Sequence, residues 1–492
     1  MKILVLQLAR LGDIYQTWPV LRALKRANPG AEIHLLTRSK FAVAAPKDGV
    51  LTRHWLLDTR SVLEPLIDEK PALDASLEKL TSFSSQLRAE NFDRVINLTF
   101  SPFSSYLTRE ITQNTAAQVS GYTRFEDGYL SIPDDGSAYF YAQVGVGRAN
   151  RLHVTDLFAY VAGVELTEED WSTGQTTTPV REEKILVHIG ASVAGKTFSW
   201  SKWLQVVKHL LQAYEGEVVL IGSKEEVEQA SKITGFSSGR EPVNLVGKTS
   251  LDELFDLISR ARLLIGGDSG PVQIASITGT PVLNLSLPIV SFWETGPRSK
   301  GSRILTLQSE DEVTGQDIAI EAVNMVHDRP TVATLSPFLV RVPGRTLPYI
   351  EMRPQAGAFD WEFLRALYMS EPFPLPPSDL YILGLTRLDE VNTLAREQIE
   401  SLRVNAQNKT AGAILDRADE IMNQITDRVP ELAPLVRWFR TERMRIGPMS
   451  MENLITATDA IHARMADVMS LYLDSGTPAL PQDPGSEKVE ER

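Results

Sequence analysis

The 492-residue chain contains no cysteine. Disulfides, thiolate metal sites and a cysteine nucleophile are therefore excluded, and a reducing compartment fits. No window offers the roughly 18 uninterrupted apolar residues that a bilayer-spanning helix needs. Met1–Leu8 is apolar but has no positive leader and reaches Arg10 too early for a secretion signal. Basic residues are outnumbered, and the net charge of -13 disfavours nucleic acid as a partner and unaided adhesion to an anionic membrane. A local basic pocket is still compatible with that balance. These absences point to a soluble cytoplasmic protein, and the length points to two or three domains with a sizeable core.

The first half alternates short β-rich runs (Ile3–Gln7, Glu32–Leu36, Arg94–Leu98) with amphipathic stretches (Ile14–Ala27, Tyr106–Ile111). Such alternation predicts an α/β domain with a mainly parallel sheet covered on both faces. A polar, Thr-rich stretch over Ser172–Glu183 reads as a linker, after which strands restart at Lys184–Ile189, Glu217–Ile221, Leu263–Ile265 and Val282–Leu285. Helices are expected over Ser201–Tyr214 and Ser250–Ser259, and from Pro271 to a stop at Gly279. The expected organisation is a Rossmann-like domain over 1–175, a second over 184–330, a Pro-interrupted connector over 331–377, a helical extension over 378–476 and a disordered tail over 477–492.

Gly190–Thr197 spells a Walker A loop after an apolar run. Its surroundings argue against a nucleotide-triphosphate site. Phe198–Trp200 separate Gly-Lys-Thr from the helix, for which Ser201 is the expected N-cap, so Lys196 sits in a loop. The best Walker B candidate, Leu263–Asp268, has Gly266 and Gly267 inserted before the acid.

Tandem doubly wound domains turn the carboxyl ends of their strands toward a shared cleft. Leu11-Gly12-Asp13 follows the first strand and opens a helix that Pro19 should bend or restart. Asp13 is a candidate general base, with a plain N-cap as the alternative. Gly266–Pro271 follows a strand and opens a helix, a turn suited to a diphosphate, or simply an Asp/Ser cap. Glu226 is placed to accept hydrogen bonds from a ribose, or to be an exposed first-turn glutamate. Lys196 would neutralise phosphate, or be a solvated lysine.

Together these segments resemble glycosyltransferase family 9, the ADP-heptose:lipopolysaccharide heptosyltransferases, over roughly residues 1–325. The matching stretches are Lys2–Asp13 with Pro19-Val-Leu-Arg-Ala-Leu, Asn97–Arg124, Ile189–Trp203, Leu220–Glu226, Leu245–Leu251 and Gly266–Leu285, in order and spacing. The resemblance implies a GT-B fold of two facing domains and an inverting transfer; separately, no Asp-x-Asp follows a strand at the crevice, which predicts a metal-independent transfer without cofactor. The resemblance also implies a nucleotide-sugar donor, expected to be ADP-linked heptose, and a glycan or glycolipid acceptor of lipopolysaccharide-core type. It casts Asp13 as the base and Gly190, Ser192, Lys196, Gly222, Glu226, Asp268, Ser269, Gly270 and Gln273 as donor-binding. Because the family's acceptors are anionic, Gly12, Arg60, Tyr122 and Arg124 are expected on the acceptor side, with surface ion pairing as the alternative for the arginines.

The sequence departs from the family at Gln273, where histidine is usual, and at Ser286-Leu-Pro, where Phe-Gly-Pro is usual. Both bear on donor identity more than on fold. Residues beyond 330 have no counterpart in the resemblance, so oligomerisation through those helices and peripheral attachment to the inner face of the inner membrane both stay open. A P-loop NTPase and a non-catalytic sugar-nucleotide-binding scaffold are the competing functional readings.

Overall fold

The computed structural model describes residues 1–67, 71–171, 180–191, 193, 195–235, 239–340, 349–351 and 359–474. Met1–Phe140 with Val144–Ala356 form one compact unit, and Tyr141–Gln143 with Gly357–Arg492 form another. The tail expected over 477–492 and the polar stretch 172–179 lie outside the described residues.

Among its described residues the first unit contains two large sheets and a small two-stranded one. In the first, β1 (Lys2–Leu6), β2 (Glu32–Arg38), β3 (Arg53–Leu57), β4 (Arg94–Asn97) and β5 (Gln118–Gly121) run parallel in the order β3-β2-β1-β4-β5. A small antiparallel pair, β6 (Thr123–Arg124) and β7 (Leu130–Ser131), follows. The strand β1 shows why its sequence is an unbroken apolar run. Ile3 and Val5 pack with Val20, Leu21 and Leu24 on one face, while Leu4 and Leu6 pack with Leu87, Leu107 and Ile111 on the other. Both faces are covered, so no position alternates to polar, and each buried side chain contributes about 1.5–3 kcal/mol.

The second sheet joins β8 (Glu182–His188), β9 (Glu217–Ile221), β10 (Val243–Asn244), β11 (Ala261–Gly266), β12 (Val282–Ser286), β13 (Arg303–Thr306), β14 (Phe338–Val340) and β15 (Tyr349–Glu351) in the order β10-β9-β8-β11-β12-β13-β14-β15. The last two strands are antiparallel. They fall in the stretch read as a connector, so that reading is corrected for these residues. Phe338, Val340 and Tyr349 cover Phe292 and Ile304, an apolar cluster that the surrounding prolines mask in the sequence.

Two further local expectations change. The helix Leu11–Ala27 is one element that includes Pro19, so it is not restarted there; the missing N–H forgoes one bond while Tyr15, Trp18, Val20 and Leu21 are buried around it. The helix Trp200–Ala213 is capped by Ser199, not Ser201. Ser199 Oγ accepts from the Lys202 N–H at 3.3 Å, and Glu310 fixes Ser199 by accepting from its N–H at 2.6 Å and its hydroxyl at 2.7 Å.

The second unit is helical: Phe359–Met369, Asp379–Val404, Lys409–Arg428, Ala433–Arg445 and Met451–Leu473. Its core gathers Phe363, Tyr381, Leu388, Met422, Phe439 and Met465. Within it His462 donates from Nδ1 to Asn392 Oδ1 at 2.8 Å, and its ring meets Phe439 edge-on at 4.7 Å. Burial holds its pKa down, to about 4. The folded value lies below the unfolded one, so the associated stability is present above the unfolded pKa of about 6.5 and is lost as pH falls toward 4. Denaturant titrations should show this loss as about 3 kcal/mol between pH 7 and pH 4, absent in His462→Gln. A variant that loses as much as the wild type would refute the assignment.

Candidate functional site

The two large sheets of the first unit present their carboxyl-terminal strand ends to a common cavity of about 680 Å³. Their halves are joined by apolar packing of Ile14, Tyr15 and Trp18 from the Leu11 helix with Val272, Ile274 and Ala275 from the helix Gly270–Thr278. Contact at the helix starts is close. A Cβ on Gly12 would lie 3.3 Å from Gln273 Cγ, and one on Gly270 would lie 3.2 Å from Leu11 Cδ2.

The first wall grows from the turn after β1. Gln7 Nε2 donates to the Leu98 carbonyl at 3.2 Å, and its Oε1 accepts from the Ala9 N–H at 3.2 Å, which fixes the chain before the helix. Arg10 is the N-cap residue, and Asp13 stands three positions on, its Oδ2 accepting from the Arg10 N–H at 2.8 Å. Asp13 therefore supports the helix start without being the N-cap itself. Burial pushes its carboxyl above the usual value, the Arg10 N–H and guanidinium pull it back, and the charge of Asp268 across the cavity adds to the rise. Arg10, Arg38, Lys40 and Phe41 complete this wall. The Arg38 guanidinium lies 4.9 Å and the Lys40 ammonium 4.6 Å from the Phe41 ring centre. Among the described residues none of these three cations has a carboxylate ion-pair partner.

The second wall is formed by His188, Ala191, Lys196, Ser223, Glu225, Glu226, Asp268–Pro271, Gln273 and Thr295. Lys196 Nζ pairs with Asp268 Oδ2 at 2.8 Å. The Lys196 loop reaches this position because residue 267 is glycine: a Cβ there would sit 2.4 Å from the Lys196 carbonyl oxygen. Thr197 Oγ1 donates to the Ile189 carbonyl at 3.0 Å and accepts from Trp203 Nε1 at 3.1 Å, so the hydroxyl that a Walker A loop gives to magnesium is engaged within the loop. Glu226 Oε2 accepts from the Ser223 N–H at 2.5 Å, and its carboxylate presses on Gly190, where a Cβ would lie 2.5 Å from Glu226 Cδ. Gly222 flanks the same carboxylate. Ser269 Oγ is buried and has no partner among the described residues. Gln273 Nε2 donates to the Thr295 carbonyl at 2.5 Å.

The cavity thus gathers Gly12, Asp13, Lys196, Glu226, Asp268, Ser269, Gly270 and Gln273. Ser192 lies outside the described residues. Arg60, Tyr122 and Arg124 are not brought to the cavity. Arg60 is exposed on the helix Thr59–Ile67, and Tyr122 is buried against Phe100, with ring centres 4.9 Å apart. Arg124 Nε donates to Ser105 Oγ at 2.8 Å, and its guanidinium caps the Tyr106 ring at 4.4 Å. A residue's place near a motif does not reveal its direction in sequence: Tyr122 and Arg124 point into local packing, and Arg60 into solvent. His188 was not anticipated. It ends β8 at the point where strand order reverses between β8 and β11, and burial holds its pKa down, to about 4, so the ring is neutral near pH 7.

The profile of glycosyltransferase family 9 (heptosyltransferase) matches residues 80–288. Lipopolysaccharide heptosyltransferase 1 of Campylobacter coli is 24% identical over 303 residues, which span 58% of this chain and 83% of that relative. Its similarity is thus to glycosyltransferase family 9 over residues 80–288, and to heptosyltransferases over a longer stretch. Two solved structures share its fold. A family 9 glycosyltransferase from Veillonella parvula superposes with a TM-score of 0.50 at 19% identity over 66% of this chain and 97% of its own. The E. coli heptosyltransferase WaaC with ADP superposes with a TM-score of 0.50 at 16% identity over 66% and 100%. The facing sheets are accordingly those of a GT-B fold. Among the described residues no group of three or more His, Asp or Glu is arranged to hold a metal ion, and no helix is long and apolar enough to cross a membrane.

Proposed function

We propose that the enzyme transfers heptose from an ADP-linked donor, with inversion, to a hydroxyl of a lipopolysaccharide-core acceptor at the inner face of the inner membrane. The observation that carries this reading is the convergence of Asp13, the Lys196–Asp268 pair and the start of the Gly270 helix on one cavity. Asp13 takes the proton of the acceptor hydroxyl as its oxygen attacks the anomeric carbon, and the bond from that carbon to the diphosphate breaks on the opposite side. The departing charge is met by Lys196 and by the positive end of the helix. Glu226 receives the ribose hydroxyls, and Ser269 Oγ, without a partner among the described residues, donates to a phosphate oxygen. Arg10, Arg38 and Lys40 take the acceptor-side role expected of Arg60 and Arg124.

The test is incubation with ADP-heptose and a truncated lipopolysaccharide core, with the anomeric configuration of donor and product compared by NMR. Donor binding without turnover would favour the sugar-nucleotide scaffold instead. Lys196→Met should weaken ADP binding in calorimetry by about 1.5–3 kcal/mol, the contribution of a hydrogen bond to a charged group. Unchanged ADP affinity would remove Lys196 from the phosphate site.

A further inference from the structure

Beyond the cavity, the first half carries three exposed aromatic rings on one rim: Phe103 at 44% exposure, Tyr106 at 54% and Tyr129 at 74%. Their location follows from topology. Strands β1 and β4 are adjacent and parallel, with Leu6 opposite Asn97. The chain leaves both at the same edge, where the Leu8 N–H donates to Thr99 Oγ1 at 2.8 Å. From there β1 continues into the Leu11 helix with Asp13 in its first turn, and β4 continues into the helix Pro102–Thr112. The two helices cover opposite faces of the sheet: Val20 and Leu24 pack on Ile3 and Val5, whereas Leu107 and Ile111 pack on Leu4 and Leu6. Strand order reverses between β1 and β4, so the starts of these helices flank the crevice in which a doubly wound sheet holds its ligand.

Phe103 and Tyr106 stand three residues apart on the first turns of that second helix and so share one helical face. Tyr129 joins them through the β6–β7 hairpin. Gly121, with a φ of +87° and so little space that a Cβ would lie 2.0 Å from the Asn97 carbonyl oxygen, turns the chain back over the end of β4. The hairpin then meets Tyr106, whose hydroxyl donates to the Gly128 carbonyl at 3.4 Å. Arg124 locks the arrangement, with its guanidinium 4.4 Å from the Tyr106 ring centre and hydrogen bonds to Ser105 Oγ and the Gly128 carbonyl. Aromatic faces held in water by a fixed scaffold suit the C–H faces of sugar rings, and the tyrosine hydroxyls add polar contacts at the ring edges.

We infer that Phe103, Tyr106 and Tyr129 form a platform that stacks the sugar rings of the acceptor glycan beyond the residue being extended. The inference rests on the glycosyltransferase reading and adds to it a preference for an acceptor longer than one sugar. It recasts Arg124 as a positioning residue that acts through Tyr106, not as a ligand of acceptor charge.

The test compares wild type, a Tyr106→Ala/Tyr129→Ala double variant and Tyr106→Phe on two acceptors: a core oligosaccharide freed of its lipid and a single-sugar glycoside. For the oligosaccharide the double variant should show a KM raised about tenfold, with kcat and ADP affinity unchanged, while Tyr106→Phe stays close to wild type. For the single-sugar glycoside the double variant should match wild type. An unchanged KM for the oligosaccharide, or an equal rise for both acceptors, would overturn the platform. Should wild type transfer no sugar at all, the glycosyltransferase reading fails separately. Titration of the same oligosaccharide followed by NMR then decides the platform by its loss of affinity in the double variant or the absence of that loss.

Discussion

Replacing Asp13 by asparagine is expected to lower sugar transfer roughly 10²–10⁴-fold while leaving the fold and ADP binding intact, the range associated with loss of a positioned general base. The substitution separates the proposed role of this side chain as a base from its structural role. Asp13 Oδ2 accepts from the Arg10 N–H and so steadies the first turn of the Leu11 helix. Asparagine keeps an oxygen acceptor for that bond, so the helix start survives. What it loses is the capacity to take a proton, a capacity enhanced in the native carboxyl by its burial and by the charge of Asp268. Single-turnover transfer with saturating donor and acceptor is the measurement. A variant that keeps near-native turnover would leave Asp13 as a helix support only, and another base would have to be found on the same wall.

The second large effect concerns the joint between the two halves. Arg298 is fully buried, and its Nη1 pairs with Asp156 Oδ2 at 2.6 Å while its guanidinium lies 4.7 Å from the Trp171 ring centre. Next to it, His153, kept neutral chiefly by burial, is linked through Nε2 to the Gly296 carbonyl at 3.0 Å. Glu294 accepts from the Gly145 N–H at 2.8 Å and from Asn150 Nδ2 at 3.2 Å. Each contact joins a residue of the first half to one of the second. Asp156→Ala strips the carboxylate from a guanidinium that cannot reach water and should cost about 3–5 kcal/mol. Asp156→Asn, which preserves shape and one acceptor, should cost less. Thermal unfolding of the first unit reads the difference, and equal midpoints for wild type and Asp156→Ala would show that the pair contributes nothing net.

Much of the fold is legible in sequence because parallel strands buried on both faces are written as plain apolar runs, and the turns after them carry the glycines and acids that line the cavity. Lys196 could be placed in a loop from the residues that separate it from the next helix, and the loop geometry agrees. Other features depend on contacts distant in sequence. Pro19 breaks a helix by local rules, yet the aromatic packing of Tyr15, Trp18 and Phe255 holds its helix through. Arg10 and Arg38 reach the cavity only because two strand ends meet there, which no local pattern encodes. Arg38 does carry one usable signal, since it is the last residue of β2 and thus stands at the same edge as Asp13. The strands β14 and β15 were hidden for the opposite reason: short apolar pieces set among prolines resemble a spacer until a neighbouring sheet edge gives them something to cover.

The pairing of Lys196 with Asp268 also sets a threshold for entry. A lysine beside a helix terminus would ordinarily gather whatever small anion the solvent supplies, but here a built-in counterion already satisfies it. A lone inorganic phosphate must compete with that carboxylate and offers Asp268 no replacement. On the donor-binding role proposed above, a nucleotide sugar would offer the lysine two phosphates and the aspartate a set of hydroxyls in the same event, and the exchange would favour the complete donor over its fragments.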